Sequence, residues 1–231
     1  MTTTLITGAN KGLGHETARR LVEAGHTVYV GARDAERGQQ AAARLGARFV
    51  QLDVTDEDSV KSAVETIRED AGCLDVLVNN AGIAGAGKPV GEVTAEDMRN
   101  TYDTNVFGVV RVTHAFLPLL ESSDAPVVVN VGSGLGSPAA TNDPDRVEFH
   151  VTLLDYNSSK TALVMITSQY AKAYPSIRFN AVDPGYTATD LNGHQGSGTV
   201  EESADVIVRM ATIGADGPTG GFFDEAGPVV W

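Results

Sequence analysis

Short apolar runs alternate along the chain with segments whose apolar residues recur at helical spacing. "TTLITG", "HTVYVGAR", "ARFVQLDV", "LDVLVNNAG", "APVVVNVGS" and "SIRFNAVDPG" read as six strands, and "GGFF" as a short seventh. Helical segments separate them. One runs through "HETARRLVEAG", one through "DAERGQQAAARLG", and one from Thr55 or Asp56 to about Ala71. A long helix starts near Thr94, with Asp97 at near-capping-box spacing and Pro118 near its end. The segment holding Tyr156 and Lys160 ends near Pro175, and a last helix covers about Val200 to Ala211.

The strands are continuous apolar runs rather than alternating ones, which predicts a sheet covered on both faces. Repeated β-α units predict parallel strands joined by right-handed crossovers. The expected fold is therefore α/β: one Rossmann-type, doubly wound parallel sheet of about seven strands. No repeat or break in composition divides residues 1–231, so a single domain is expected. Two stretches, 134–154 and 184–199, are longer than a compact crossover needs and are candidate substrate loops.

Composition narrows the functions. At 42% hydrophobic residues the 231-residue chain can build a full core. Its formal net charge of −13 repels nucleic-acid phosphates and anionic membranes alike. No stretch reaches the roughly 18 apolar residues of a membrane span, and "MTTTLITGANKG" lacks the features of a signal peptide. The single cysteine, Cys73, fits a reducing cytoplasm and is expected to be inert packing. The five histidines lack metal-ligand spacing, so no metal site is expected.

Between the first strand and first helix lies "TGANKGLG". Gly8, Gly12 and Gly14 there would let the backbone turn tightly and approach a pyrophosphate seated on the helix N-terminus. The second strand ends "VGARD", with Ala32 where an acid would bind the ribose 2′-hydroxyl of NAD. Arg33 follows, and Lys11 offers a second cation, which favours NADP(H) over NAD(H). Asp34 either caps the next helix or faces a hydroxyl. Asp53 either meets the adenine amino group or serves as a cap or turn residue.

Tyr156 and Lys160, four residues apart in "DYNSSKTAL", fall on one helical face. Alone they are an ordinary surface pair. Together with "TGANKGLG", "NNAG" at 79–82, Asn105 in "DTNVFG", Ser133 in "VNVGSG" and "DPGYTATD" at 183–190, they make the chain resemble the short-chain dehydrogenase/reductase family. "GANKG" with "ARDAERG" is most similar to its NADPH-dependent carbonyl reductases.

The resemblance implies a small-molecule carbonyl substrate, reduced by hydride transfer, with the reverse alcohol oxidation available. It makes Tyr156 the general acid. A free tyrosine has a pKa near about 10, and the adjacent Lys160 cation would favour its phenolate. Lys160 would also bind the nicotinamide ribose. Ser133 would hold the substrate oxygen, unless it is only a strand-end serine in a turn. Asn105 would order a water leading from Lys160, unless it is a helix amide bonded to neighbouring backbone. Asn80 would brace strand backbones, Pro184 and Gly185 would turn the chain past the nicotinamide, and Thr187 would bond its carboxamide. The implied cofactor set also takes in Asn10, Leu13, Val54, Ala81 and Gly82. Candidate pocket walls are Leu135, Phe149, Val151, Leu153 and Tyr186.

Gly132 stands where the family often has a serine. Family members are commonly homodimers or homotetramers. Two other readings share the pattern. A 3-oxoacyl carrier-protein reductase has the same catalytic residues, but its acidic carrier would be repelled by this surface. A dinucleotide-sensing regulator would need no reason to keep Ser133, Tyr156, Lys160 and Asn105 together.

Overall fold

The computed structural model describes residues 1–231. Seven strands form one all-parallel sheet in the order β3-β2-β1-β4-β5-β6-β7. They are β1 (Thr3–Thr7), β2 (Thr27–Ala32), β3 (Arg48–Gln51), β4 (Val76–Asn79), β5 (Val127–Val131), β6 (Arg178–Val182) and β7 (Phe222–Phe223). The order reverses between β1 and β4, which opens a crevice at the carboxyl ends of the strands.

Eight helices join them: α1 (Gly12–Glu23), α2 (Ala35–Leu45), α3 (Glu57–Ala71), α4 (Ala95–Tyr102), α5 (Gly108–Leu120), α6 (Pro138–Thr141), α7 (Leu154–Ala173) and α8 (Val200–Ala211). One core packs Leu5, Leu77 and Val128 against Ile67, Phe116 and Leu120. The opposite core packs Ile6, Val78 and Val129 against Ala18, Leu21 and Ile207. Consecutive strand residues thus enter opposite cores, which is why the strands read as unbroken apolar runs.

Local signals set the element ends. Asp34 caps α2 by accepting the Arg37 N–H at 3.0 Å, and Asp56 caps α3 by accepting that of Ser59 at 2.7 Å. Thr94 and Asp97 form a full capping box at the start of α4. The expected long helix from Thr94 is divided, however. Asp103–Phe107 form a π turn between α4 and α5, and such an insertion has no signature in apolar periodicity.

The 134–154 stretch is also more ordered than a plain loop. It contains α6 and 3-10 turns at Gly134–Gly136 and Val147–His150. The chain end lies on its own sheet. Val229 N–H donates to Phe222 at 2.8 Å, and Ser137 donates to the Val230 carbonyl at 2.7 Å. No helix is long and apolar enough to cross a membrane.

Candidate active site

The crevice between β1 and β4 is built by close backbone approach. Gly8 and Gly12 have φ of +63° and +57°, a region that side-chain-bearing residues rarely adopt. A Cβ on Gly14 would lie 2.4 Å from Nδ2 of Asn80 and 2.9 Å from the Gly8 carbonyl oxygen. Asn80 braces the turn as expected, donating to the carbonyls of Thr7 at 2.8 Å and Gly8 at 3.2 Å. The Thr7 hydroxyl accepts the N–H groups of Asn80 and Ala81 at 3.0 and 2.9 Å. Lys11, at the N-cap of α1, makes no side-chain cap bond. The first N–H groups of α1 are therefore left for a phosphate, so these residues fit a dinucleotide.

Beside this turn lies a cleft of about 220 Å³ lined by Asn10, Lys11, His15, Arg37, Gln40, Ala41, Arg44 and Asp190. Its cations suit the extra phosphate of NADP(H). Arg33 is exposed and in no ion pair. Lys11 differs from expectation, because Asp190 holds its ammonium at 2.7 Å. Arg37 and Arg44 escaped the sequence reading. They lie beyond the strand end on α2, and only the packing of α2 beside the glycine turn brings them to the cleft. Asp53 acts as a turn residue, accepting the Thr55 N–H at 2.9 Å and hydroxyl at 2.7 Å. Val54 is buried and packs against Gly108 at the start of α5.

Across the sheet, β5 leads through Gly132 to Ser133. A Gly132 Cβ would come within 3.0 Å of the Val182 carbonyl and 3.2 Å of the Phe222 ring, which accounts for the missing serine. The Ser133 hydroxyl accepts the Leu135 N–H at 3.3 Å. Three residues on, a Gly136 Cβ would lie 2.7 Å from the Lys160 backbone, so α7 rests directly on this turn. That contact places Tyr156, in the first turn of α7, beside Ser133.

Lys160 is only 6% exposed. Its Nζ donates to the Val131 carbonyl at 2.8 Å and lies 5.6 Å from the centre of the Tyr156 ring. Asn105 sits in the π turn. Its amide accepts the Ile83 N–H at 2.9 Å and donates to the Ile83 carbonyl at 3.0 Å and Ser159 at 3.1 Å. Backbone bonding, one of the two expected readings, is thus present. Asn105 Oδ1 and Lys160 Nζ nevertheless converge at Gly82, 3.3 and 3.8 Å from where its Cβ would stand.

Burial governs the electrostatics. It pushes the Tyr156 phenol up to about 12; Ser133 pulls the other way and Asp183 adds to the rise. It pulls Lys160 down to about 8, against Asp183. The Tyr156 phenol thus lies above the value of a free tyrosine rather than below it, and removal of the phenolate from water is the largest cause. A raised pKa keeps Tyr156 protonated at neutral pH, as a proton donor requires.

The expected pocket walls divide in two. Leu135 and Leu153 are half-buried. Phe149, Val151 and Tyr186 stand 44%, 36% and 57% exposed, so none of them forms a closed wall. Thr187 is buried with its hydroxyl on Ser203 at 2.7 Å, not free toward the crevice. Pro184 and Gly185 do turn the chain there, Gly185 with φ of +74°.

The site also contains acids that the sequence reading did not pair. Asp183 and Glu148, 35 residues apart, both face Gly134. Asp155 is buried and accepts the Ala86 N–H and the Thr101 hydroxyl, each at 2.7 Å, which anchors the start of α7.

A family model described as short chain dehydrogenase matches residues 2–199. The chain is 31% identical to a (+)-neomenthol dehydrogenase of Capsicum annuum, over 95% of this chain and 94% of that one. That alignment runs over 295 positions, so the relative carries insertions that this 231-residue chain lacks. Among solved structures, an NADPH-bound carbonyl reductase from chicken fatty liver superposes with a TM-score of 0.89 at 27% identity, over 100% of this chain and 99% of that one. Salutaridine reductase from Papaver somniferum gives 0.84 at 29% identity, over 97% and 100%.

Proposed function

The chain belongs to the short-chain dehydrogenase family, and from that premise we propose that it is an NADPH-dependent carbonyl reductase of small or medium apolar ketones and aldehydes. NADPH, when bound, would supply the hydride that the carbonyl carbon accepts. The remaining work falls to the chain's own residues.

The observation that carries this reading is the Tyr156–Lys160 pair, one helical turn apart on α7 beside Ser133 and the carboxyl end of β5. Ser133 holds the carbonyl oxygen by hydrogen bonding. Tyr156 gives its proton to that oxygen as negative charge develops there. Lys160, positive and fixed by Val131, stabilises the phenolate left behind and presents its remaining N–H groups to the cofactor ribose. Asn105 fixes the Ile83 backbone and would order a water leading from Lys160 to solvent, the route by which Tyr156 regains its proton.

At the other end, the uncapped start of α1 and the glycine turn hold the pyrophosphate. Arg37 and Lys11, which line the cleft, and the exposed Arg33 would hold the 2′-phosphate. The exposed side chains of Phe149, Val151 and Tyr186 admit substrates of varied shape. The whole chain acts as one domain in the cytoplasm, as a homodimer or homotetramer.

The test is to follow NADPH consumption with purified protein across a broad panel of ketones and aldehydes. Reduction of apolar ketones, slower with NADH, is the expected result. Absence of turnover across the panel, with NADPH bound, points instead to a dinucleotide-sensing role.

A further inference from the structure

Asp183 follows β6 and precedes Pro184, and its backbone N–H is fixed to the Phe223 carbonyl at 2.8 Å. Its half-buried carboxylate accepts two backbone N–H groups, from Gly185 at 3.0 Å and from Gly134. Gly134 directly follows Ser133. A Cβ on Gly134 would stand 2.7 Å from an Asp183 carboxylate oxygen and 2.6 Å from one of Glu148, so a larger residue there would have to push one of these carboxylates aside. One carboxylate thus joins the turn that carries Ser133 to the turn that opens the 184–199 loop.

The same group is the charged side chain that bears on both Tyr156 and Lys160. Its own surroundings are mixed. Glu148, on the 3-10 turn, faces it but is held by Arg146 at 3.0 and 3.1 Å, and Asp224, after β7, adds a second negative charge. Burial and these two acids raise the Asp183 pKa, while the two N–H bonds lower it.

We propose that Asp183 is a positioning residue of the catalytic site, fastening the Ser133 turn against the Pro184–Gly185 turn and setting a fixed negative charge beside the Ser133 turn. The proposal rests on the reading of Tyr156 as proton donor. A negative charge nearby disfavours the phenolate and favours the ammonium of Lys160. Both effects favour the fully protonated site, which is the form that reduces a carbonyl. The overall equilibrium is untouched; Asp183 sets the pH range over which each direction runs.

The test uses Asp183→Asn, which removes the charge and keeps one acceptor, and Asp183→Ala, which removes both ties. Tyrosine labelled with carbon-13 at the ring carbon bearing oxygen reports ionisation by NMR, and Tyr156→Phe identifies the signal. In Asp183→Asn the Tyr156 ionisation should move about one pH unit lower. The alkaline limb of kcat/KM for ketone reduction should move with it. Asp183→Ala should in addition lose about tenfold in kcat, because the Ser133 turn is freed.

Two outcomes overturn the proposal. One is a folded Asp183→Asn, judged by an unchanged melting transition, whose Tyr156 ionisation coincides with wild type. The other is a shift to higher pH. The titration needs no turnover, so a wild-type protein inert to every ketone would sink the proposed activity while the NMR still decides the role of Asp183.

Discussion

Lys160 points its ammonium at the Val131 carbonyl, 2.8 Å away, and reaches Tyr156 only across the ring, 5.6 Å from its centre. The charge is thus anchored by backbone, and the phenol hydroxyl lies beside Ser133. Tyr156→Phe keeps the ring on which this packing depends and removes the proton. We expect kcat to fall about a hundred- to ten-thousandfold with NADPH binding retained. Cofactor fluorescence titration and steady-state reduction rates check both parts. A variant as fast as wild type would place the proton donor elsewhere.

Lys160 itself should weaken the fold. Its pKa is near 8 when folded, against an ordinary value of 10.5. Between these values the unfolded chain binds a proton that the folded chain has released, so stability rises with pH across that window. Below about pH 8 the folded state carries the full cost of a buried charge. Lys160→Met should therefore resist urea better than wild type at pH 7, by about 1–3 kcal/mol, with the difference closing toward pH 10. Reduction should be lost. Lower stability of the variant at pH 7 would mean that the Val131 bond outweighs desolvation.

Arg37 lines the cation cleft with no partner closer than Asp34, at 3.5 Å. Arg37→Ala should weaken kcat/KM for NADPH about ten- to a hundredfold, the usual worth of one charge-assisted bond, and leave that for NADH unchanged. Comparing both cofactors on one ketone tests this. Equal losses with NADPH and NADH would exclude a contact with the 2′-phosphate.

A buried polar chain crosses the sheet under the site. Asn79 donates to Thr113 at 3.0 Å and to Asn130 at 2.8 Å, and Asn130 donates to Thr167 on α7 at 2.8 Å. Asn130→Ala leaves an Asn79 N–H without a partner and opens a small void. We expect a loss of about 2–3 kcal/mol by chemical denaturation. A change below about 0.5 kcal/mol would show that water replaces the amide.

The glycine at 136 offers a geometric test. Its missing Cβ would collide with the backbone of Lys160 at 2.7 Å. Gly136→Ala should push α7 from the Ser133 turn and reduce kcat more than it raises KM for NADPH, since the glycine turn at residues 8–14 lies elsewhere on the sheet. Steady-state kinetics against each substrate separate the two effects.

The alternation of apolar runs and helical segments was enough to predict seven strands and a covered parallel sheet. Patterns of burial repeat within each element, and a single chain displays them in order. The capping pairs at Asp34, Asp56 and Thr94 were equally local. The π turn at Asp103–Phe107 was not, because one additional residue in a helix leaves its apolar pattern almost intact.

Within the site, what the sequence determined is what lies inside one element. Tyr156 and Lys160 share a face because a helix repeats every 3.6 residues, and three glycines between a strand and a helix mark a close backbone turn. Tertiary structure decided what lies between elements: Arg37 beside Lys11, Lys11 on Asp190, and Asp183 against Gly134 from 49 residues away. It also reversed the expected shift of the Tyr156 phenol. A nearby cation is visible in the order of residues, but the loss of water around a group depends on everything packed over it, and that loss is the largest cause of the rise.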